Sequence, residues 1–312
     1  MKKLIALLVI LVSIGICVFA CMMGPLGSAL VVQPHIQMPA ERIPLGPISL
    51  PNSMVATLIT DLILVGGALL GTRLIRAGRA EALVPKGLQN FVEWIYDALS
   101  SLLHNVLGEK AVALIPLLMT FFLFILFANW IELFPGFDSI GVIEEVEEGA
   151  HGLAVRQVGP LAMLTSDEGH YTLVPFLRAA NTDLNTPLAL SLVSVFMIQF
   201  YGVRAAGWGY FYRFFNLPAL VSGGIMKKMD FVVGLLEGVG EIAKIVSFAF
   251  RLFGNIFAGM VLLLVISSLA PFLAPVAFYF LELFVGAVQA LVFMMLTAAF
   301  IAIATMGHGD HH

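Results

Sequence analysis

Charge is scarce in this sequence. Only 12% of its 312 residues are Asp, Glu, Lys or Arg, and the formal net charge is a mild −4. Without a basic patch or any interleaving of basic and aromatic side chains, nucleic acid is excluded as a partner. Cysteine is scarcer still. Cys17 and Cys21 stand one helical turn apart, in or at the end of the first apolar run, and read as small apolar residues rather than a disulfide framework or metal site. Also missing are a GxxxxGK phosphate loop ending in Ser or Thr, a GxGxxG turn after a strand, and an HExxH pair, so no soluble catalytic or nucleotide site is expected. His308, His311 and His312 with Asp310 have metal-ligand chemistry, but a histidine tail at a frayed terminus is ordinarily incidental. No cofactor and no metal are expected.

What the chain has instead is apolar length. Hydrophobic residues make up 60% of it and mean hydropathy is +0.99, the composition of an integral membrane protein. The apolar blocks are long enough for helical spans, and the alternating ten-residue segments of a β-barrel are not seen. The expected fold is an all-α integral membrane protein: an N-terminal signal or anchor segment, about five transmembrane helices, and a long, steeply tilted C-terminal helical hairpin.

In order, Lys2 and Lys3 precede the uninterrupted run LIALLVILVSIGICVFA, the form of a signal peptide or signal anchor over 1–23. Val18-Phe19-Ala20-Cys21 resembles a lipoprotein cleavage site only faintly, because Phe19 suits it poorly. Either fate places the Pro-rich segment 24–53 on the outer side, followed by a membrane domain over 54–306 and a tail over 307–312. The first span, about Met54 to Leu74, ends among Arg73, Arg76, Arg79 and Lys86, a cluster that marks the cytoplasmic face. Leu88, Phe91, Val92, Ile95, Leu99, Leu102 and Val106 then recur every three or four positions, predicting an amphipathic inner-surface helix over 87–108, with Trp94 and Tyr96 suited to the interface.

A second span, about Val112 to Phe134, leads to an outer acidic loop over 135–184 that holds Glu144, Glu145, Glu147 and Glu148; this run reads as a solvated loop face or, less simply, a proton-collecting funnel. A third span covers Pro187 to Ala206, and Arg204, Arg213, Lys227 and Lys228 again mark the inside. The two remaining segments, Phe231 to Ala270 and Pro275 to Met306, far exceed the ~20 residues of a perpendicular crossing. Pro271 and Pro275 mark the turn between them, so 231–306 is read as a hairpin that must tilt or break. The amino end of the mature chain then lies outside and the carboxyl end in the cytoplasm.

One stretch of the hairpin, EGVGEIAKIVSFAFRLFGN from Glu237 to Asn255, carries charge into the hydrocarbon. At about 100° per residue, Glu241, Lys244, Arg251 and Asn255 fall within ~40° of Glu237, on one narrow face. Arg251 sits roughly 20 residues from both ends of its segment, too deep to snorkel, and such a charge costs ~2.5 to 3.5 kcal/mol on insertion scales. Glu241 is ten residues away, ~15 Å along a helix, so an internal pair with it is strained. Arg251 is therefore either a structural ion pair or a group meant to meet a carboxylate from elsewhere. In the last segment Glu282 and Gln289 are seven apart and within ~20° of one another, with Gly286 between them to allow close helix contact. An intramembrane glutamate is costly when ionised, which makes Glu282 a candidate proton relay or, failing that, a hydrogen-bonded acid of the bundle.

At these residues the chain resembles a known family. SFAFRLFGNIFAG (Ser247 to Gly259) looks like the signature of subunit a of F-type ATP synthases, the membrane stator beside a rotating ring of c subunits. VPKGLQNFVEWIYD (84–97), FFLFILFANWIELFPG (121–136), NTDLNTPLALSL (181–192) and AVQALVFMMLTAAFIA (287–302) follow in the family's order, and the similarity spans roughly 50 to 306. The resemblance implies a non-catalytic, proton-conducting stator with two offset half-channels. Arg251 takes the place of the essential arginine that faces the ring carboxylate and separates those channels. Asn255, Glu282 and Gln289 match the outer half-channel, with Asn129, Glu132, Asp183 and Asn185 near its mouth, and Glu237, Glu241, Lys244 and Ser247 match the stretch near the inner one. The implied partners are the ring of c subunits, the peripheral-stalk b subunits, the other ATP synthase subunits and membrane lipid, in a bacterial inner or plasma membrane.

Two features depart from the family. Some members carry an acidic residue nine positions after the arginine and a histidine where Glu282 stands; here those positions are Met260 and Glu282, which reads as one carboxylate relocated across a helix contact. The apolar leader and the acidic loop are additions. Protons are the expected ion, since the polar face is short of the extra hydroxyls and carbonyls that a dehydrated sodium ion needs. The alternative is a stand-alone secondary transporter or ion channel using the charged face as its own site, although no inverted repeat is visible. A third reading is a membrane scaffold with a buried ion pair.

Overall fold

The computed structural model describes residues 40–45, 48–73, 87–134, 137, 140–145, 152–158, 161–207, 209–210, 214, 225–269 and 274–305. The predicted leader, most of segment 24–53, Arg76, Arg79, Lys86, Glu147, Glu148, Arg213, the turn at 270–273 and the tail lie outside the described residues.

A short antiparallel hairpin, β1 (Arg42–Leu45) and β2 (Ile48–Pro51), leads directly into helix α1 (Asn52–Gly71). Helix α2 (Leu88–Leu107) and a 3-10 turn at Gly108–Lys110 precede α3 (Ala111–Glu132), and α4 (Asn185–Ala206), α5 (Ile225–Leu269) and α6 (Ala274–Thr305) follow. Among the described residues, five helical segments are long and apolar enough to cross a membrane, built on α1, α3, α4, α5 and α6 as expected. Their outward side chains include Leu62, Leu236, Ile242, Phe280 and Phe284, all more than 60% exposed, a surface that fits lipid and not water.

The C-terminal hairpin keeps its long rods. Helix α5 starts at Ile225, six residues before the predicted Phe231, and runs unbroken for 45 residues, about 68 Å at 1.5 Å per residue. It does not break, so against a hydrocarbon core of about 30 Å it must tilt or extend beyond the membrane. Its early start has a simple cause: Lys227, Lys228 and Asp230 end the apolar run but not the helix.

Two expectations need correction. In α2 the buried line is Gln89, Leu99, Leu103 and Leu107, while Phe91 and Leu102 of the predicted face are exposed along with Trp94 and Tyr96. The apolar surface of α2 is wider than its packed strip, and the surplus suits an interfacial helix. The bend into α3 falls at Gly108, whose φ of +59° is a conformation glycine reaches without strain.

The second correction concerns the acidic loop. Strands β3 (Gly141–Glu145), β4 (Gly152–Val158), β5 (Leu161–Gly169) and β6 (Tyr171–Pro175) form an antiparallel sheet in the order β3-β6-β4-β5. Gly141 faces Pro175 across the β3–β6 pair, where a Cβ would collide with the Val174 carbonyl. The sheet is an addition to a fold that remains helical in its membrane part.

Contacts divide the chain into two compact units, one of Met1–Ile59, Ala128–Asp183 and Gly254–Ala287, the other of Thr60–Phe127, Leu184–Phe253 and Val288–His312. In the first, Ala56, Ala128, Phe137, Val174, Ala179 and Ile256 are buried. In the second, the core gathers Leu103, Leu114, Leu118, Ile198, Leu252, Met294 and Ile301, each nearly inaccessible. Phe293 ties that core together, with its ring 5.4 Å from Phe121 and 5.2 Å from Phe248. Ser194 and Thr297 share a buried 2.9 Å hydrogen bond there, and Lys110 caps the end of α6 by donating to the Thr305 carbonyl at 3.2 Å.

Candidate functional site

The polar residues of α5 differ in their bonding. Arg251 is exposed on α5, with its guanidinium carbon 5.8 Å from the Phe248 ring. Among the described residues it forms no ion pair. Glu241, the nearest acid before it on the predicted stripe, is engaged elsewhere. One of its carboxylate oxygens accepts from Lys244 Nζ at 2.6 Å and the other from Gln199 Nε2 of α4 at 2.7 Å. Lys244 also lies over the Phe300 ring of α6, 4.5 Å from its centroid. The geometry thus agrees with the helical count: Arg251 is not neutralised by Glu241. Glu237 is half-buried one turn before Glu241, and Ser247 is exposed one turn before Arg251. Asn255 follows Arg251 by one turn and is half-buried.

Glu282 occupies a different environment. It is half-buried on α6, and its carboxyl group packs so closely on Gly259 of α5 that a Cβ there would coincide with it. Gly259 is the residue that lets a carboxyl enter this helix contact. No hydrogen bond or ion pair to Glu282 is found among the described residues. Gln289, seven residues on, is buried, and its side-chain nitrogen has no partner among the described residues.

The predicted mouth residues differ in their contacts and burial. Asn129 is buried at the end of α3, accepts from Asn181 Nδ2 at 2.6 Å and donates to the Gly286 carbonyl of α6 at 3.4 Å. Gly286 permits the approach, since a Cβ there would stand 3.1 Å from Asn129 Cβ. The predicted role of Gly286 in close helix contact is therefore met, with α3 as the neighbour. Asp183 accepts from the Ser53 hydroxyl at 2.9 Å. Glu132 is half-buried at the end of α3, and Asn185 is exposed at the start of α4.

Several polar residues escaped the sequence reading. Asn181 bonds Asn129 and Ser53 bonds Asp183, Trp130 donates to the Leu283 carbonyl at 3.0 Å, and Gln199 holds Glu241. Asp61 stands mid-way along α1, exposed and without a hydrogen bond or ion pair among the described residues. The signal for Gln199 and Asp61 was present, a lone amide or acid inside an apolar run.

Residues 54–302 match the family described as ATP synthase A chain. ATP synthase subunit a of Gloeobacter violaceus is 35% identical over 270 residues, 86% of this chain and 89% of the relative. ATP synthase subunit a of Moorella thermoacetica is 26% identical over 88% of this chain and 99% of its own length, and ATP synthase subunit a 2 of Hahella chejuensis 33% over 75% of each. Since the family pattern runs from the first described span into the last, the chain belongs to the ATP synthase A chain family, as a multi-pass, non-catalytic, proton-translocating membrane subunit.

Proposed function

We propose that Arg251 is the barrier between two offset proton half-channels that this subunit presents to a ring of c subunits. The observation that carries this reading is the state of Arg251: deep in α5, exposed, and without an ion pair among the described residues, while Glu241 is occupied by Lys244 and Gln199. A charge so placed needs a carboxylate from another chain. The ring supplies one per subunit, and a discharged, anionic ring carboxylate is drawn to the guanidinium as it passes.

Glu282 and Gln289, with Asn255 at the approach, pass protons from the outer side to the ring, and Asn129, Glu132, Asp183 and Asn185 lie near the entry. Protons leave along Glu237, Glu241, Lys244 and Ser247. ATP chemistry takes place on other subunits, and b subunits of the peripheral stalk hold the stator still. The chain sits in a bacterial inner or plasma membrane, with its mature amino end outside and its carboxyl end in the cytoplasm, the orientation that its basic loops favour. Within it, 231–306 is the ring-facing hairpin, 87–108 the inner-surface helix and 135–184 the outer domain. A stand-alone transporter is not favoured by the family.

The test is direct. Arg251→Ala should abolish ATP-driven proton pumping in membrane vesicles while the complex still assembles, and preserved pumping would sink this reading.

A further inference from the structure

Gln199 is the one amide in the apolar run from Leu188 to Ala206, and it is half-buried on α4. Its Nε2 donates to Glu241 Oε2 at 2.7 Å, and the other carboxylate oxygen takes the 2.6 Å bond from Lys244. Glu241 therefore sits in a three-helix knot: α4 brings Gln199, α5 brings Glu241 and Lys244, and α6 brings the Phe300 ring beneath the ammonium. Both oxygens already accept a hydrogen bond. A proton that lands on Oε2 weakens that oxygen as an acceptor and adds an O–H that needs an acceptor of its own.

The two donors respond differently to that event. Lys244 carries only N–H groups and has nothing with which to accept. An amide carries both, an NH₂ that donates to a carboxylate and a carbonyl oxygen that accepts from a carboxylic acid O–H. By turning its amide half a revolution, Gln199 can satisfy Glu241 before and after it takes up a proton. No polar group is then stranded in the low-dielectric bundle, where an unmet partner costs most.

We propose that Gln199 is a positioning residue of the proton exit path, which holds the Glu241 side chain in place through both of its protonation states by reorienting its amide. The inference rests on the proposed role of Glu241 in that path. Gln199 itself carries no proton across; the proton is on Glu241 or on water at every stage, and the amide exchanges one hydrogen bond for another.

The test uses the whole ATP synthase in inverted membrane vesicles. Gln199→Met, close in volume and unable to hydrogen-bond, should lower passive proton flux about tenfold, the factor expected for one lost hydrogen bond to a charged group. In a Glu241→Gln background the same replacement should change flux by less than about twofold, because residue 241 no longer changes protonation state and the reorientation has nothing to follow. A bystander whose loss merely loosens the bundle would slow flux equally in both backgrounds, and that result overturns the proposal. So does wild-type flux in Gln199→Met alone. If Gln199→Met fails to enter the membrane, Gln199→Leu, which likewise cannot hydrogen-bond, is read in the same pair of backgrounds with the same expectation. Arg251→Ala in parallel separates the two levels: if it blocks pumping while Gln199→Met does not slow flux, only the role of Gln199 falls, and if Arg251→Ala pumps normally the stator reading falls with it.

Discussion

Glu241 and Glu282 both stand within apolar helices of this chain and are held by opposite means. Glu241 is fixed by bonds, with a partner at each oxygen. Glu282 is fixed by shape: its carboxyl fills the space left by the missing side chain of Gly259 and makes no hydrogen bond among the described residues. A group bonded at both oxygens has to reorient a partner as it changes state, whereas a group held by packing has every lone pair open to a new donor. The contrast suits a chain in which Glu282 exchanges protons and Glu241 is part of a braced exit.

The contrast is broken or sharpened by replacing each acid in turn. Glu282→Gln keeps the volume and removes the titrating group, so passive proton flux should drop about a hundredfold, at the low end of what a positioned acid or base contributes, and the pH–rate profile should flatten. An unchanged profile would reduce Glu282 to a packing acid and remove the difference between the two sites. Glu241→Gln should act more mildly, roughly tenfold on the same assay, because an amide can still accept from Lys244 and pair with Gln199. If Glu241→Gln proves the more damaging of the two, the assignment of exchanging and braced acids is inverted.

Next in size is a change that leaves both acids in place. Gly259→Ala puts a methyl group where the Glu282 carboxyl lies, forcing either the side chain or the helices to move, an overpacking cost of ~1–3 kcal/mol. We expect a several-fold loss of flux with normal assembly. Normal flux in Gly259→Ala would mean that Glu282 has free room, and shape would no longer distinguish it from Glu241.

Much of this arrangement was legible in the sequence because lipid imposes simple rules. Five long apolar runs became five candidate spans, and counting the ~15 Å of helical rise from Glu241 to Arg251 correctly separated the two. That count could not say what Glu241 binds instead. Gln199 lies 42 residues away, and the pairing depends on how α4 and α5 pack, which a one-dimensional period does not contain. The same holds for Gly259: only the packed helices show that the Glu282 carboxyl lies against it.

The sheet at 141–175 was hidden for another reason. Strand β5 reads LAMLTSDEG, with Asp, Glu and Gly that strands usually avoid, so pairing with β4 overrides local preference. In α2, periodicity found an apolar face without distinguishing the part that meets protein from the part that meets lipid. Both look alike as sequence.

The smallest effect separates packing from bonding on the Glu282 side. Trp130 donates to the Leu283 carbonyl, one residue beyond Glu282, and thereby helps to set the rotation of α6. Trp130→Phe retains most of the ring and loses the N–H. Interhelical hydrogen bonds in membranes average about 0.6 kcal/mol, so the complex should lose only a little thermal stability, with flux lowered by less than about threefold. If Glu282 is held by shape, as its seat on Gly259 indicates, this bond is secondary and the small figure follows. A loss as large as that of Gly259→Ala would show instead that hydrogen bonds orient α6, and the two glutamates would then be held in the same way.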